Sequence, residues 1–427
     1  MTEAALRHAP RAQRLHAGLA YGALGLPLAF VALPLYVLLP SLYATQFGVP
    51  LAALGALLLG ARLLDAVADP WIGRWADRWF AHSPGRALAA AVGAALVAAA
   101  GFHALLFPPV AAVPAVLVWG GMGLTLTYLA YSVLGVVHQS WGARLGGDAT
   151  RRAGIVAWRE GFALVGVLVA SVLPSTAGLA ATSAAFAAAL VLALAALTQA
   201  PRPAPSRLAD PLPPLGPLRD AGFRRLLAVF VVNGIASAVP ATLVLFFIRD
   251  RLQLAAWEPL FLASYFAAGA LSMPLWVRAV PRFGLARPWL AGMLLSVLAF
   301  VGAIALDAGQ AAGYLAVCVA SGLALGADLA LPSALLAGVI VRSGQAGRAE
   351  GSYFGWWNFA IKLNLALAAG LALPLLAALG YTPGARDAAA LSALTWAYCL
   401  LPCVLKLTAA GLLWRLWMRS PHSEDRR

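Results

Sequence analysis

The chain has 427 residues, 62% of them hydrophobic and only 11% charged, against roughly 25% charged in a soluble domain. That excludes a soluble globular or a disordered protein. The apolar runs of 20 or more residues exclude a β-barrel, whose strands alternate polar and apolar over about 10 residues. At ~20 residues per membrane-spanning helix, the length accommodates about twelve spans.

In chain order the spans are expected at about 15–43, 51–72, 87–107, 112–138, 154–174, 178–198, 225–248, 257–279, 288–306, 311–341, 351–379 and 388–416. Arg7, Arg11 and Arg14 precede the first. No small-residue cleavage site follows clearly, so it reads as a retained span rather than a signal peptide. The external loops, such as 45–50 and 174–178, are short and nearly uncharged.

The net charge of +14 could suggest a polyanion partner, but its placement argues otherwise. Arg249, Arg251 and Arg386 fall in alternate loops, and Arg62, Arg159, Lys362 and Lys406 inside spans. All other Lys and Arg lie in the termini and every second loop or at the span ends that adjoin them. Positive residues stay cytoplasmic, so both termini are expected there and nucleic acid is not a partner. The Arg-over-Lys, Ala-rich composition suits a GC-rich genome and a bacterial inner membrane.

Residues 201–224 are rich in Pro and Arg and read as a semi-extended linker, since proline blocks helix and removes donors. It separates an N-terminal half (1–200) from a C-terminal half (225–427), six spans each. Weak internal matches support duplication: Arg151-x-x-Gly154 recurs as Arg348-x-x-Gly351, and Pro70 is echoed by Pro274. Transporters of the major facilitator type share this plan, with a central site between the halves.

The second span reads GARLLDAVADPWIGRWADR. Arg62, Asp65 and Asp69, spaced i, i+3, i+7, share one helix face. Each intramembrane charge costs roughly 2.5–3.5 kcal/mol on insertion scales, so the face must look into a polar interior. One plus and two minus leave a negative charge for a cation to neutralise. Two carboxylates there can supply hard oxygen ligands to sodium or share a proton; a static Arg–Asp brace is the alternative. Arg159, Glu160, Asp328 and Lys362 are further intramembrane charges. Lys406 is expected to snorkel, and Glu258 to be a solvated helix-start charge. His103 and His138 are lone histidines near span ends. Cys318, Cys399 and Cys403 lie inside spans and indicate no disulfide framework. H-E-x-x-H, G-x-S-x-G and P-loop patterns are absent, so an enzyme is not expected.

Gly73-x-x-x-Asp77-Arg78 resembles the loop motif of the major facilitator superfamily. ARLLDAVADPWIGRWADR, YGALGLPLAF, AWREGFALVG and GRAEGSYFGWWNFAIKLNLALAAG resemble the glycoside–pentoside–hexuronide:cation symporter family, that of the melibiose carrier. The resemblance implies an all-α polytopic membrane protein with the major facilitator fold, twelve helices in two pseudo-symmetric six-helix halves. It implies a sodium- or proton-coupled symporter of a small solute, a sugar or glycoside, working as a monomer in the bilayer with no cofactor beyond the coupling ion. Asp65 and Asp69 match the cation-binding aspartates, with Thr125 and Tyr128 at further positions of that site. Arg62, Arg159, Lys362 and Asp328 fall in the substrate and charge network, and Gly73, Asp77 and Arg78 in a gating loop, where Asp77 can accept from helix ends or an arginine.

Departures mark the sugar site. Ala29 and Tyr128 stand where the melibiose carrier has aspartates, Ser132 near a sugar-stacking tryptophan, and Ala337, Gly338 and Arg342 at an acidic helix end. Animal lysophospholipid carriers resemble the same family, so an amphipathic solute is the first alternative. A non-transporting membrane sensor or partner protein is the second.

Overall fold

The computed structural model describes residues 11–203 and 212–419. The first ten residues with Arg7, the middle of the linker and the last eight residues lie outside the described set. The architecture is helical: α1 (Arg11–Gly22), α2 (Gly25–Leu33), α3 (Leu39–Phe47), α4 (Leu51–His82), α5 (Pro84–Leu106), α6 (Val113–Arg144), α7 (Ala149–Gln199), α8 (Ala221–Phe246), α9 (Glu258–Phe283), α10 (Ala286–Ile304), α11 (Ala311–Arg342), α12 (Glu350–Ala378), α13 (Ala388–Thr395) and α14 (Leu401–Leu413).

Among the described residues, nine helical stretches are long and apolar enough to cross a membrane. One of them, α7, is two spans broken at Gly178, whose φ of 82° lies where only glycine is unstrained. With α4 and α12 added, the expected twelve spans are present. π-turns at Pro34–Leu38 and Trp396–Leu400 join α2 to α3 and α13 to α14.

Two compact units result. One comprises Met1–Arg219 with Ile340–Phe359, the other Asp220–Val339 with Ala360–Arg427. In the first, span one lies backbone-to-backbone on α7: a Cβ at Gly25 would overlap the Arg159 carbonyl, and one at Gly166 the Leu26 carbonyl. Small residues permit such close approach in membranes. Tyr21 and His138 clamp the same region. The Tyr21 hydroxyl donates to the His138 carbonyl at 3.1 Å, and His138 Nε2 lies 2.8 Å from the Tyr21 carbonyl. His138 is therefore a buried brace between helices, and His103, 3.1 Å from the Ser183 hydroxyl, links α5 to α7. The linker's ends are tied down through carbonyls. Trp141 donates to Pro201, Arg74 to Leu212 and Trp356 to Pro214, at 2.7–3.0 Å. Proline lacks a donor but keeps its acceptor.

In the second unit, Glu258 opens α9 as expected, and both its oxygens take the exposed Arg249 fork, at 2.5 and 2.9 Å. Cys318, Cys399 and Cys403 are buried free thiols.

Candidate functional site

The polar face of α4 is built by helix continuity. Asp65 is 5% exposed and Asp69 fully buried, one helical turn apart. Opposite stands α6, which carries Thr125, Tyr128 and Ser132 at i, i+3, i+7, again one face. The Ser132 hydroxyl donates to Asp65 Oδ1 at 2.6 Å. Tyr128 is buried, its ring 6.5 Å from that of Tyr36. The Arg62 guanidinium lies 3.2 Å above the Tyr36 ring, a cation–π contact. The Thr125 hydroxyl instead donates to its own helix, to the Gly121 carbonyl at 2.8 Å, and Thr125 lies two turns before Ser132. The hydroxyl that reaches Asp65 is thus Ser132, at the position where the melibiose carrier's tryptophan was aligned. The oxygen set, two buried carboxylates and a hydroxyl, suits a hard monovalent cation. Among the described residues no three His, Cys, Asp or Glu side chains cluster as a transition-metal site would require.

Arg159 is 7% exposed and forks onto the adjacent Glu160, with Nε at 2.9 Å and Nη2 at 2.6 Å from Oε1. Its place beside span one follows from the glycine contacts described above. Lys362, half-buried on α12, belongs to the other unit.

Gly73, Asp77 and Arg78 do not form a loop. They lie in the last turns of α4, which runs to His82. At 1.5 Å per residue a 32-residue helix is about 48 Å long, well beyond the ~30 Å hydrocarbon core, so the helix outlasts its apolar run. Arg78 is exposed. Asp77 is 2% exposed and caps α12: Oδ1 accepts from Gly351 N at 2.7 Å, Oδ2 from Ser352 N at 2.8 Å and Ser352 Oγ at 2.6 Å. A carboxylate at a helix N-terminus satisfies orphan donors and the helix dipole together. Arg144 Nη2 reaches Asp77 and Glu350, each at 3.0 Å, and its Nη1 donates to the Gly347 carbonyl at 2.8 Å. Arg144 and Glu350 were not singled out in the sequence; both sit at span ends, where charges are commonplace.

The approach of α12 to α4 depends on glycine. A Cβ at Gly73 would overlap the Gly351 carbonyl, and one at Gly355 the Asp69 carbonyl. Both obstacles are backbone. Gly73→Ala is expected to destabilise the protein by ~1–3 kcal/mol, the usual cost of overpacking. Thermal melting in detergent checks this; an unchanged midpoint would show that the contact gives way freely.

Asp328 belongs to the second unit, Arg62 and Arg159 to the first. On α11 it accepts at Oδ1 from Asn233 at 3.0 Å and Trp289 at 2.9 Å. Its Oδ2 takes Lys406, which also donates to Asn233 Oδ1 at 2.8 Å. Lys406 is 3% exposed and does not snorkel. Asn233, Trp289 and Lys406, on three helices, were not grouped with Asp328 from the sequence.

The model of the MFS/sugar transport protein family matches residues 17–419. The chain belongs to this family. Its members are transporters, not enzymes, and the chain is accordingly a multi-pass membrane transporter of the major facilitator fold. Solved structures agree on that fold. A bacterial homologue of the iron transporter ferroportin, outward-facing, is 13% identical with a TM-score of 0.69, over 94% of this chain and 99% of that one. The E. coli fucose:proton symporter FucP is 14% identical with a TM-score of 0.64, over 94% and 97%. A comparison with curated proteins finds no match.

Proposed function

We propose that the protein is a sodium- or proton-coupled symporter of a small neutral solute, a sugar or glycoside, working by alternating access in the bacterial inner membrane with both termini cytoplasmic. The observation that carries this is the pair Asp65 and Asp69: two carboxylates buried on one face of an intramembrane helix, with Ser132 donating to the first. Charges at that depth are retained for function far more often than for packing. FucP, a fucose:proton symporter, carries out the same reaction type. The Asp77 cap on α12 is a contact that must break if α12 leaves α4, and so suits a conformational latch.

Uptake into proteoliposomes tests the reading. One arm offers neutral glycosides and pentosides, the other lysophospholipids, each with an inward sodium gradient, an inward proton gradient or neither. Gradient-dependent glycoside uptake is expected. Lipid movement with silent glycosides would favour the amphipathic-solute reading, which the uncharged Ala29 and Tyr128 already accommodate. Flux in neither arm would overturn both.

Arg159 is proposed to contact substrate. Arg159→Ala is expected to raise the half-saturating substrate concentration about tenfold, ~1.4 kcal/mol, with little change in melting. An unchanged affinity would make Arg159 a structural brace.

A further inference from the structure

The second unit holds a cavity of about 170 Å³, walled by Phe261, Tyr265, Phe300 and Tyr314 and reaching Asp328 and Lys406. Every lining residue belongs to that unit, and neither Asp65 nor Asp69 is among them. The geometry points to a binding site for a single uncharged apolar ring bearing one oxygen acceptor, of the phenol, benzyl alcohol or aryl ether type.

Size sets the first limit. An apolar cavity of ~150 Å³ accepts benzene, so this one fits one six-membered ring and little more. Charge sets the second. Asp328 and Lys406 already neutralise each other, and a charged ligand would bring an uncompensated charge into a buried site. Hydrogen bonding sets the third. The Tyr314 and Tyr398 hydroxyls are 2.7 Å apart and share one hydrogen bond, and the Ser321 hydroxyl is given to the Val317 carbonyl at 2.7 Å. A pyranose would bring several hydroxyls to walls with few open partners, each left unpaired at ~1–3 kcal/mol. A phenol or benzyl alcohol brings one and an aryl ether none, and edge-to-face packing of the ring with the aromatic walls rewards it. One donor remains. Lys406 Nζ has three N–H groups and directs two of them to Asn233 and Asp328. The third can meet a single ligand oxygen.

The inference rests on the cavity and holds whatever ion, if any, drives transport. Its test therefore uses no gradient. The full chain in phospholipid nanodiscs is titrated with 4-fluorobenzyl alcohol and followed by fluorine NMR. Wild type should show a saturable component, displaced by unlabelled benzyl alcohol, above the linear partitioning into lipid. Ser321→Phe and Ser296→Phe, on different helices, fill the cavity and should each weaken that component at least tenfold. Absence of a saturable component in wild type overturns the inference, whatever the variants do. Saturable binding of unchanged affinity in either folded variant places the ring elsewhere and overturns it too. Displacement by methyl β-glucoside as effective as by benzyl alcohol would overturn the ligand class.

Discussion

Asp69→Asn is expected to abolish cation-driven accumulation while leaving downhill solute exchange in place. Arg62, Asp65 and Asp69 sum to one negative charge. In the proposed mechanism a bound sodium ion or proton cancels it, and in the asparagine variant it is cancelled permanently. Carrying one charge inward yields ~2.3 kcal/mol per 100 mV, enough to concentrate a neutral solute roughly fiftyfold at ~1.4 kcal/mol per decade. In proteoliposomes with an imposed potential and ion gradient, the variant's internal concentration should level off at the external one, whereas wild type rises tens of times above it. Asp65→Asn should behave alike and also weaken the Ser132 contact, because a neutral amide accepts less strongly than a carboxylate. Wild-type accumulation with full gradient dependence in Asp69→Asn would remove the cation site from α4.

How much of this was legible in the sequence differs by residue. The spans were visible because apolar runs of 20 residues have one physical use. Asp65 and Asp69 stood out because a charge inside such a run is costly. The limits of α4 were misjudged for the same reason: hydropathy reports where the bilayer ends, not where the helix does, and Trp75, Asp77 and Arg78 continue a helix without being apolar. Asp77 was recognisable as an acceptor for a helix end or an arginine, but nothing local names α12 or Arg144, separated from it in the chain by 274 and 67 residues respectively. Lys406 was misread because its long stem and its nearness to a span end fit snorkelling. A π-turn at Trp396–Leu400 precedes it in the same span. Such a turn inserts an extra residue and rotates every later side chain by about 100°, a shift that periodicity alone does not reveal.

The Lys406 interaction carries the largest expected effect on stability. Lys406→Met leaves Asp328, its side chain 15% exposed, beside Asn233 and Trp289 without the lysine charge, and breaking a buried pair from one side costs up to ~3–5 kcal/mol. The variant should melt well below wild type and accumulate poorly in the membrane. Asp328→Asn in the same chain removes the stranded charge. It still offers a carbonyl oxygen to the Trp289 indole, and replacing both members of a buried ion pair is often neutral or stabilising. The double variant should therefore recover most of the lost melting temperature, and the double-mutant cycle should show strong non-additivity. Additive losses would mean that Lys406 and Asp328 contribute independently, through packing rather than through each other. Full recovery would separate two roles. The pair's charges would be dispensable for folding, and any remaining loss of ring binding in the double variant would report the Lys406 donor that faces the cavity.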